Sequence, residues 1–379
     1  MTTPAATTVE ATTVEAERPE APAGGDRPGG VGDSASRPDG TLKVTGNFAY
    51  SSDLHLRGAL WGATLRSPHP RARIVRLDAT AARAVPGVAA VLTHEDVPGE
   101  KTYGMKVADQ PVLAFDEVRF QGEPIAIVAA EHPEIARRSL DEIVVEYEEL
   151  PPIVDPEVAL TGDSGLVHPD GAHPGPNLVR HVRIRHGDTD AARPLADVVI
   201  EAELEVGTQD PAFLGPESGL AVPDGDGGVD LHVAAQWLHL DQLQVASSLG
   251  LPLEKVRLSL GGVGGAFGGR EDLSMHIHAC MLALRTGRPV RMVYNREESF
   301  YGHVRRHPAR ARVELGATND GAIVFANVRL LLDGGAYTST SKVVIANACY
   351  FAAGAYRVPD VRIDSRSAAA ASMSATVVK

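Results

Sequence analysis

Apolar positions along residues 58–150 recur in short runs whose period changes repeatedly between two and about three and a half. The segment "GALWGATLRS" (58–67) predicts a strand. "RIVRLDATAARAVPGVAAVLT" (73–93) predicts strand, short helix and strand, with Pro86-Gly87 closing the helix. "VRFQGEPIAIVAAE" predicts a strand through Ile125 and Ile127, "HPEIARRSL" a helix entered at Pro133, and "EIVVEYEEL" a further strand. "LPPIVDP" then breaks the pattern, and a Gly, Pro and His-rich stretch runs to about 177, so 151–177 is expected to be a linker.

Beyond the linker the alternation resumes. "DVVIEAELEVG" and "LHVAAQ" predict strands. "WLHLDQLQVASSLG" places Trp237, Leu240 and Leu243 at helical spacing, with Gly250 as C-cap. "VRLSL" predicts a strand carrying Val256, Leu258 and Leu260 on one face. "DLSMHIHACMLALRTG" predicts a helix with Leu273, Ile277, Met281 and Leu284 in one stripe, ended by Gly287. "PVRMVY" predicts a strand, and residues 311–337 a hairpin turning at Asn319-Asp320-Gly321. Residues 1–36 are low in complexity, with "ATTVE" written twice, and read as a disordered tail.

Between the strand ending at Leu260 and the next helix stands "GGVGGAFGGRED" (261–272), six glycines around one phenylalanine. Glycine costs about 0.5–1 kcal/mol relative to alanine in regular structure. A cluster this dense implies a backbone that comes close to something else. Glycine amides ahead of a helix suit an anionic or oxo guest. A Walker loop is excluded, because Arg270-Glu271 stand where Lys and Ser/Thr are required. The dinucleotide fingerprint is broken by Phe267. A turn without a ligand remains the bland alternative.

The net charge of −13 excludes a basic nucleic-acid surface. No run of about 18 apolar residues is present, so no membrane span is expected, and the first sixteen residues lack the features of a secretory signal. The chain is therefore expected to be cytoplasmic. Its two cysteines, Cys280 and Cys349, have no metal-binding spacing and are too few for an iron–sulfur cluster, so both read as buried small hydrophobes. His276 and His278 are two apart on the predicted helix and do not share a face.

"GGAFGGRE" resembles the GG-x-FGG-K/R-E signature of the molybdopterin-binding large subunit of the xanthine dehydrogenase/aldehyde oxidase family, as found in bacterial xanthine dehydrogenases with separate subunits. "DGTLKVTGNFAYSSDL", "SPHPRARI" and "FQGEPIAIVAAE" resemble that family's α/β hammerhead domain. "ADVVIEAELEVGTQDPAFLGPES", "GRPVRMVYNREESFYGHVRRHPAR" and "LLLDGGAYTS" resemble its first molybdopterin-binding domain. The resemblance spans about 37–367. It implies an α+β chain: a hammerhead domain over 37–150, the linker, then the first part of a mixed α/β molybdopterin-binding domain over 178–367. It also implies a cytoplasmic molybdenum hydroxylase subunit that oxidises a purine such as xanthine or hypoxanthine with oxygen from water. A related hydroxylase for aldehydes or other N-heterocycles, and an inactive truncated subunit, are the alternatives.

By the same resemblance, the main chain of Gly265, Ala266, Phe267, Gly268 and Gly269 lies beside the molybdenum, and Phe267 packs near the substrate plane. Gln236 matches the glutamine that hydrogen-bonds the metal's oxo ligand, and no side chain ligates the metal directly. Glu271 matches the glutamate that orients a purine. Plain packing for Phe267, a strand-end role for Gln236 and a helix-dipole role for Glu271 stay open beside these. The implied cofactor is molybdopterin, as such or as its cytosine dinucleotide. Iron–sulfur and FAD centres are expected on partner subunits of a hetero-oligomer.

The sequence departs from the family in two places. "STSKVVIANACY" (339–350) has no counterpart of the arginine that contacts purines, and Asn347 stands near its place. Residues 368–379 give an atypical, truncated ending, and the family's general-base glutamate is expected to be absent from this chain.

Overall fold

The computed structural model describes residues 32, 34, 36–169, 175–371 and 375–376. Most of the expected tail, positions 170–174 of the expected linker, and positions 372–374 and 377–379 of the C-terminal end lie outside the described residues. The chain divides into two units, one up to Phe48 and one from Ala49. In the first, a short helix spans Gly40–Val44, and the Lys43 ammonium lies 4.5 Å from the centre of the Phe48 ring.

The second unit is built on a seven-stranded mixed sheet. Its strands run in the order Val256–Leu260, Val229–Val233, Ser218–Pro223, Val290–Val293, Leu60–Arg66, Pro124–Ala130 and Val88–Leu92. The seam is a parallel pairing of Leu60 with Val290 and of Gly62 with Met292. One sheet thus carries strands from both sides of the 151–177 segment. Pro124–Ala130 is buried at every position, which accounts for its unbroken apolar run. The helix His276–Thr286 packs on this sheet and is buried from His276 through Ala283, so it is apolar around most of its girth. Cys280 lies in that core, and Cys349 lies on the buried face of the helix Ser341–Phe351.

A second sheet orders five strands as Val198–Val206, Ala309–Ala317, Ile323–Asp333, Asp360–Ala368 and Leu178–His186. The expected hairpin forms around residues 318–322, with a register shift between Gly316 and Ala317 beside the turn. Ser341–Phe351 covers the Val182, Ile184, Val361 and Ile363 side of this sheet. A smaller sheet joins Glu117–Val118, Ala72–Asp78 and Val144–Glu149.

Three local expectations are revised. The segment expected as a linker contains a helix, Pro156–Thr161, capped by Asp155, whose side chain accepts from Glu157 and Val158 N–H. Val198–Val206 forms the expected strand, at one edge of its sheet, and is exposed at every position. The helix after the glycines starts at His276, not at Asp272, because residues 271–275 run through bends rather than helical turns. The helix Leu238–Leu249 buries Asp241, Val245, Ala246 and Leu249, while Trp237, Leu240 and Leu243 face outward. Among the C-terminal residues, Ala368–Ala371 are buried, with backbone bonds from Ala369 to Asn177, Ala370 to Gly335 and Ala371 to Ile153. Among the described residues, no helix is long and apolar enough to cross a membrane.

Candidate cofactor and substrate site

The glycine stretch leaves the strand Val256–Leu260 and crosses a second loop at Gly215. Gly215 N–H donates to Gly264 O at 3.2 Å, and a Cβ added to Gly264 would lie 2.8 Å from the Gly215 backbone. Gly264 is thus required by another stretch of protein backbone. At Gly265 a φ of +110° makes the same demand through conformation. The question raised by the composition therefore has a first answer inside the fold: two main chains touch.

Arg270 clasps this crossing. Its guanidinium is buried against the Phe213 ring, 4.0 Å from the centroid. It donates to the carbonyls of Gly265 at 2.9 Å, Pro216 at 3.3 Å, Ala234 at 3.4 Å and Gly215. Burial lowers its pKa, and the nearby Glu217 carboxylate opposes that shift. The sequence pointed to Arg270 only as a signature letter. Its structural role was hidden because the four carbonyls come from three separate segments.

With the loop held from behind, its tip projects. Phe267 has a φ of +50°, which is strained for a bulky residue, and its ring is 62% exposed. It is not a core residue. Gly269 N–H turns back to Ala266 O at 2.8 Å, while the N–H groups of Ala266, Phe267 and Gly268 have no partner among the described residues. Three successive unpaired amides leave donors available to an oxo, sulfido or phosphate oxygen.

Gln236 follows the neighbouring strand and is tied to the loop twice. Its N–H donates to Arg270 O at 3.0 Å, and its Oε1 accepts from Arg270 N–H at 3.1 Å. The amide is thereby oriented, and its Nε2 donor has no partner among the described residues. A neutral donor beside free main-chain amides is the chemistry that an oxo-bearing group requires.

A cleft of 810 Å³ opens here. It brings together Gln236 and Glu271 with Trp237, Lys106, Val343 and Asn347. Glu271 is buried and lies five positions ahead of His276, so it does not sit in that helix's first turn and a helix-dipole role is not supported. Of the outward-facing Trp237, Leu240 and Leu243, the first two have their explanation in the same place, because they line the cleft. Asp272, next to Glu271, accepts from the Ser339 hydroxyl, and burial pushes its carboxyl up to about 6. Asp109 accepts from Thr338 N–H at 2.8 Å. The two aspartates thus anchor the start of Ser341–Phe351, the helix that carries Val343 and Asn347. His278 lies away from the cleft and bonds Val112 O at 2.8 Å; burial lowers its pKa to about 4 and that of His276 to about 3.

Two family models match the chain: the aldehyde oxidase and xanthine dehydrogenase a/b hammerhead domain over residues 45–151, and the molybdopterin cofactor-binding domain over residues 172–379. The chain belongs to the xanthine dehydrogenase/aldehyde oxidase family. It is 38% identical to a probable xanthine dehydrogenase subunit from Bacillus subtilis over 88% of this chain and 44% of that protein. It is 37% identical to the nicotinate dehydrogenase large molybdopterin subunit of Eubacterium barkeri over 89% of this chain and 78% of that one. Among solved structures it resembles the aldehyde oxidoreductase from Desulfovibrio gigas, with a TM-score of 0.85 and 28% identity over 90% of this chain and 39% of that one. It also resembles quinoline 2-oxidoreductase from Pseudomonas putida 86, with a TM-score of 0.82 and 30% identity over 91% of this chain and 45% of that one. The chain thus spans less than half the length of several relatives. Its hammerhead segment supplies Met105 and Lys106 and its molybdopterin-binding segment Gln236, Glu271 and Asn347, so the cleft is lined by both segments, while residues 265–269 are not among its lining residues.

Proposed function

We propose that this chain holds molybdopterin along residues 265–269 and Gln236, and presents an N-heterocyclic substrate to it as part of a molybdenum hydroxylase. The observation that carries this reading is the shared cleft of Gln236 and Glu271, beside a glycine loop whose amides are free. When bound, the molybdenum supplies two-electron oxidation with oxygen from water. The chain's own part is positional. Gln236 donates through Nε2, the amides of Ala266, Phe267 and Gly268 donate to an oxo or sulfido neighbour, and Phe267 offers a flat face to a planar ring. Glu271 hydrogen-bonds a ring nitrogen or its N–H, which fixes the carbon that reacts.

A purine such as xanthine is the reading made from sequence. Asn347 on the facing wall favours a second, pyridine-type ring, because a neutral amide stands where purine oxidation calls for an arginine. Glu271→Gln tests both. In the enzyme assembled with its partners, it is expected to lower kcat/KM by about 10–100-fold while molybdenum content and the melting midpoint stay unchanged. Normal kinetics together with a lowered midpoint would make Glu271 a structural residue and defeat the proposal.

Electrons must leave through other centres, and we place iron–sulfur and FAD groups on partner subunits. Cys280 and Cys349 are both buried in separate clusters, and burial raises the Cys280 thiol pKa, which disfavours a thiolate ligand. The purified chain is accordingly expected to contain no iron and no flavin by metal analysis and absorbance. Stoichiometric iron in it would contradict this assignment. The cytosine dinucleotide form of the cofactor is proposed on resemblance, and nucleotide release on acid treatment of the holoenzyme tests it.

A further inference from the structure

The loop that the glycines cross is stapled from the far side. It runs from Asp210 to Glu217, just ahead of the strand Ser218–Pro223, and one residue from elsewhere meets both of its ends. That residue is His303, between the helix Arg296–Gly302 and the short strand Arg305–Arg306, with a side chain only 2% exposed. Its Nε2 lies 3.2 Å from Asp210 Oδ1, and its Nδ1 forms an ion pair with Glu217 Oε1 at 2.8 Å. A neutral imidazole has one N–H, so a ring with a carboxylate at each nitrogen is held as the imidazolium. Asp210 Oδ1 also accepts from Ala212 N–H at 2.7 Å, and so holds a turn in which Ala212 has a φ of +43°. Phe213 comes next. Its ring is fully buried, with its centroid 4.7 Å from that of His303. The same side chain lies against the glycine loop at two points. A Cβ added to Gly265 would be 3.0 Å from Phe213 Cβ, and one added to Gly269 would be 3.0 Å from Phe213 Cε1.

Resting on the reading of residues 265–269 as the cofactor loop, we infer that His303 is a positioning residue for the cofactor: its cation closes the 210–217 loop through Asp210 and Glu217, and that loop seats residues 265–269 through Phe213. Arg270 pins the two loops together through carbonyls, whereas His303 keeps the lower one in shape through carboxylates. Of the two cations, only the imidazolium can give up its proton near neutral pH. Burial alone would lower the His303 pKa, but the two carboxylates outweigh it and raise the pKa above the usual 6.5. The staple is therefore complete below pH 6.5 and is lost as the pH rises through the raised value, which leaves the buried Glu217 carboxylate without its cation. Arg305 lies 3.6 Å from Asp210, and Glu217 is faced by Arg270, Glu298 and the Tyr294 hydroxyl. On its remaining side His303 borders a small cavity with Arg66, Tyr103, Asp272 and Tyr301. The arginines stay charged, burial pushes the Tyr103 and Tyr294 hydroxyls up, and Asp272 reaches only about 6, below the range in which His303 acts.

The rate at which the enzyme assembled with its partners releases molybdenum reads the seat of the loop without reference to turnover. In the wild type, release is expected to be about tenfold faster at pH 9 than at pH 7. His303→Gln serves one carboxylate at most as a donor and carries no charge, so it should release quickly at both. Phe213→Leu leaves the His303 ion pairs in place but removes the ring that transmits them, and its release should also be fast and independent of pH. Because the two residues act in series, the double variant should be no faster than the faster single one. Should His303→Gln fail to fold, the wild-type profile and Phe213→Leu decide the question, since a flat wild-type profile or a pH step that survives in Phe213→Leu overturns the inference. A step that survives in His303→Gln, or additive effects of the two substitutions, overturns it as well. Gly268→Val separates the inference from the reading beneath it, because a valine at a φ of +85° distorts the loop tip and should expel the metal. If Gly268→Val keeps its molybdenum, the cofactor reading fails and the inference with it. If Gly268→Val loses molybdenum while His303→Gln and Phe213→Leu hold it as the wild type does, the inference alone fails.

Discussion

Arg270→Met is expected to cost about 3–5 kcal/mol of stability and to strip the chain of its capacity to retain molybdopterin. The side chain volume is nearly kept, so the loss is not one of packing. What disappears is a buried cation that answers carbonyls from residues 215, 216, 234 and 265 at once. Those oxygens would then sit without donors beneath the glycine loop, and the crossing of Gly264 over Gly215 would have nothing to pin it. The loop that carries the unpaired amides of Ala266, Phe267 and Gly268 would lose its support, which is why cofactor retention should fall with stability. Arg270→Lys keeps the charge but reaches fewer carbonyls, so it should fall between the two. Urea midpoints and molybdenum per chain decide the matter. An unchanged midpoint for Arg270→Met would show that the loop is held by something else.

The local elements were legible because each announces itself within its own segment. Pro133 begins its helix, Gly250 and Gly287 end theirs, and the 309–333 hairpin turns where Asn-Asp-Gly stands. A signature pointed to the candidate site: Gln236 and Glu271 meet in one cleft, and residues 265–269 are not among its lining residues. The pairing of Leu60–Arg66 with Val290–Val293 had no local sign, since a parallel partner about 230 residues away is chosen by burial on both faces. Periodicity also misled. Trp237, Leu240 and Leu243 form a true helical stripe, but a stripe tells only that an apolar surface is wanted on one side. Here that side borders the ligand cleft, and the chain's own core takes the opposite face.

The opposite face of that helix gives the second large effect. Asp241 sits in the core with 1% of its surface exposed, and neither carboxylate oxygen has a hydrogen-bond partner. Burial, with a smaller contribution from Asp272, pushes its carboxyl from the usual 3.8 up to about 8. The folded chain therefore holds a proton on Asp241 that the unfolded chain releases near pH 4. The sign follows from linkage. Its contribution to stability is fully present below pH 4 and is lost progressively as the pH rises toward 8, at a limiting slope of about 1.4 kcal/mol per unit. Asp241→Asn keeps the shape and cannot ionise. Relative to wild type it should be nearly neutral at pH 4.5 and more stable by about 3 kcal/mol at pH 8.5, after allowance for relaxation around a buried charge. Thermal or urea melts at these two pH values measure the difference directly. A gain that is equal at both would mean that Asp241 stays ionised in the fold, or finds a proton donor there. A loss at both would mean that its carboxylate is needed beneath the cleft, where it would steady the first turn of the helix that carries Leu240.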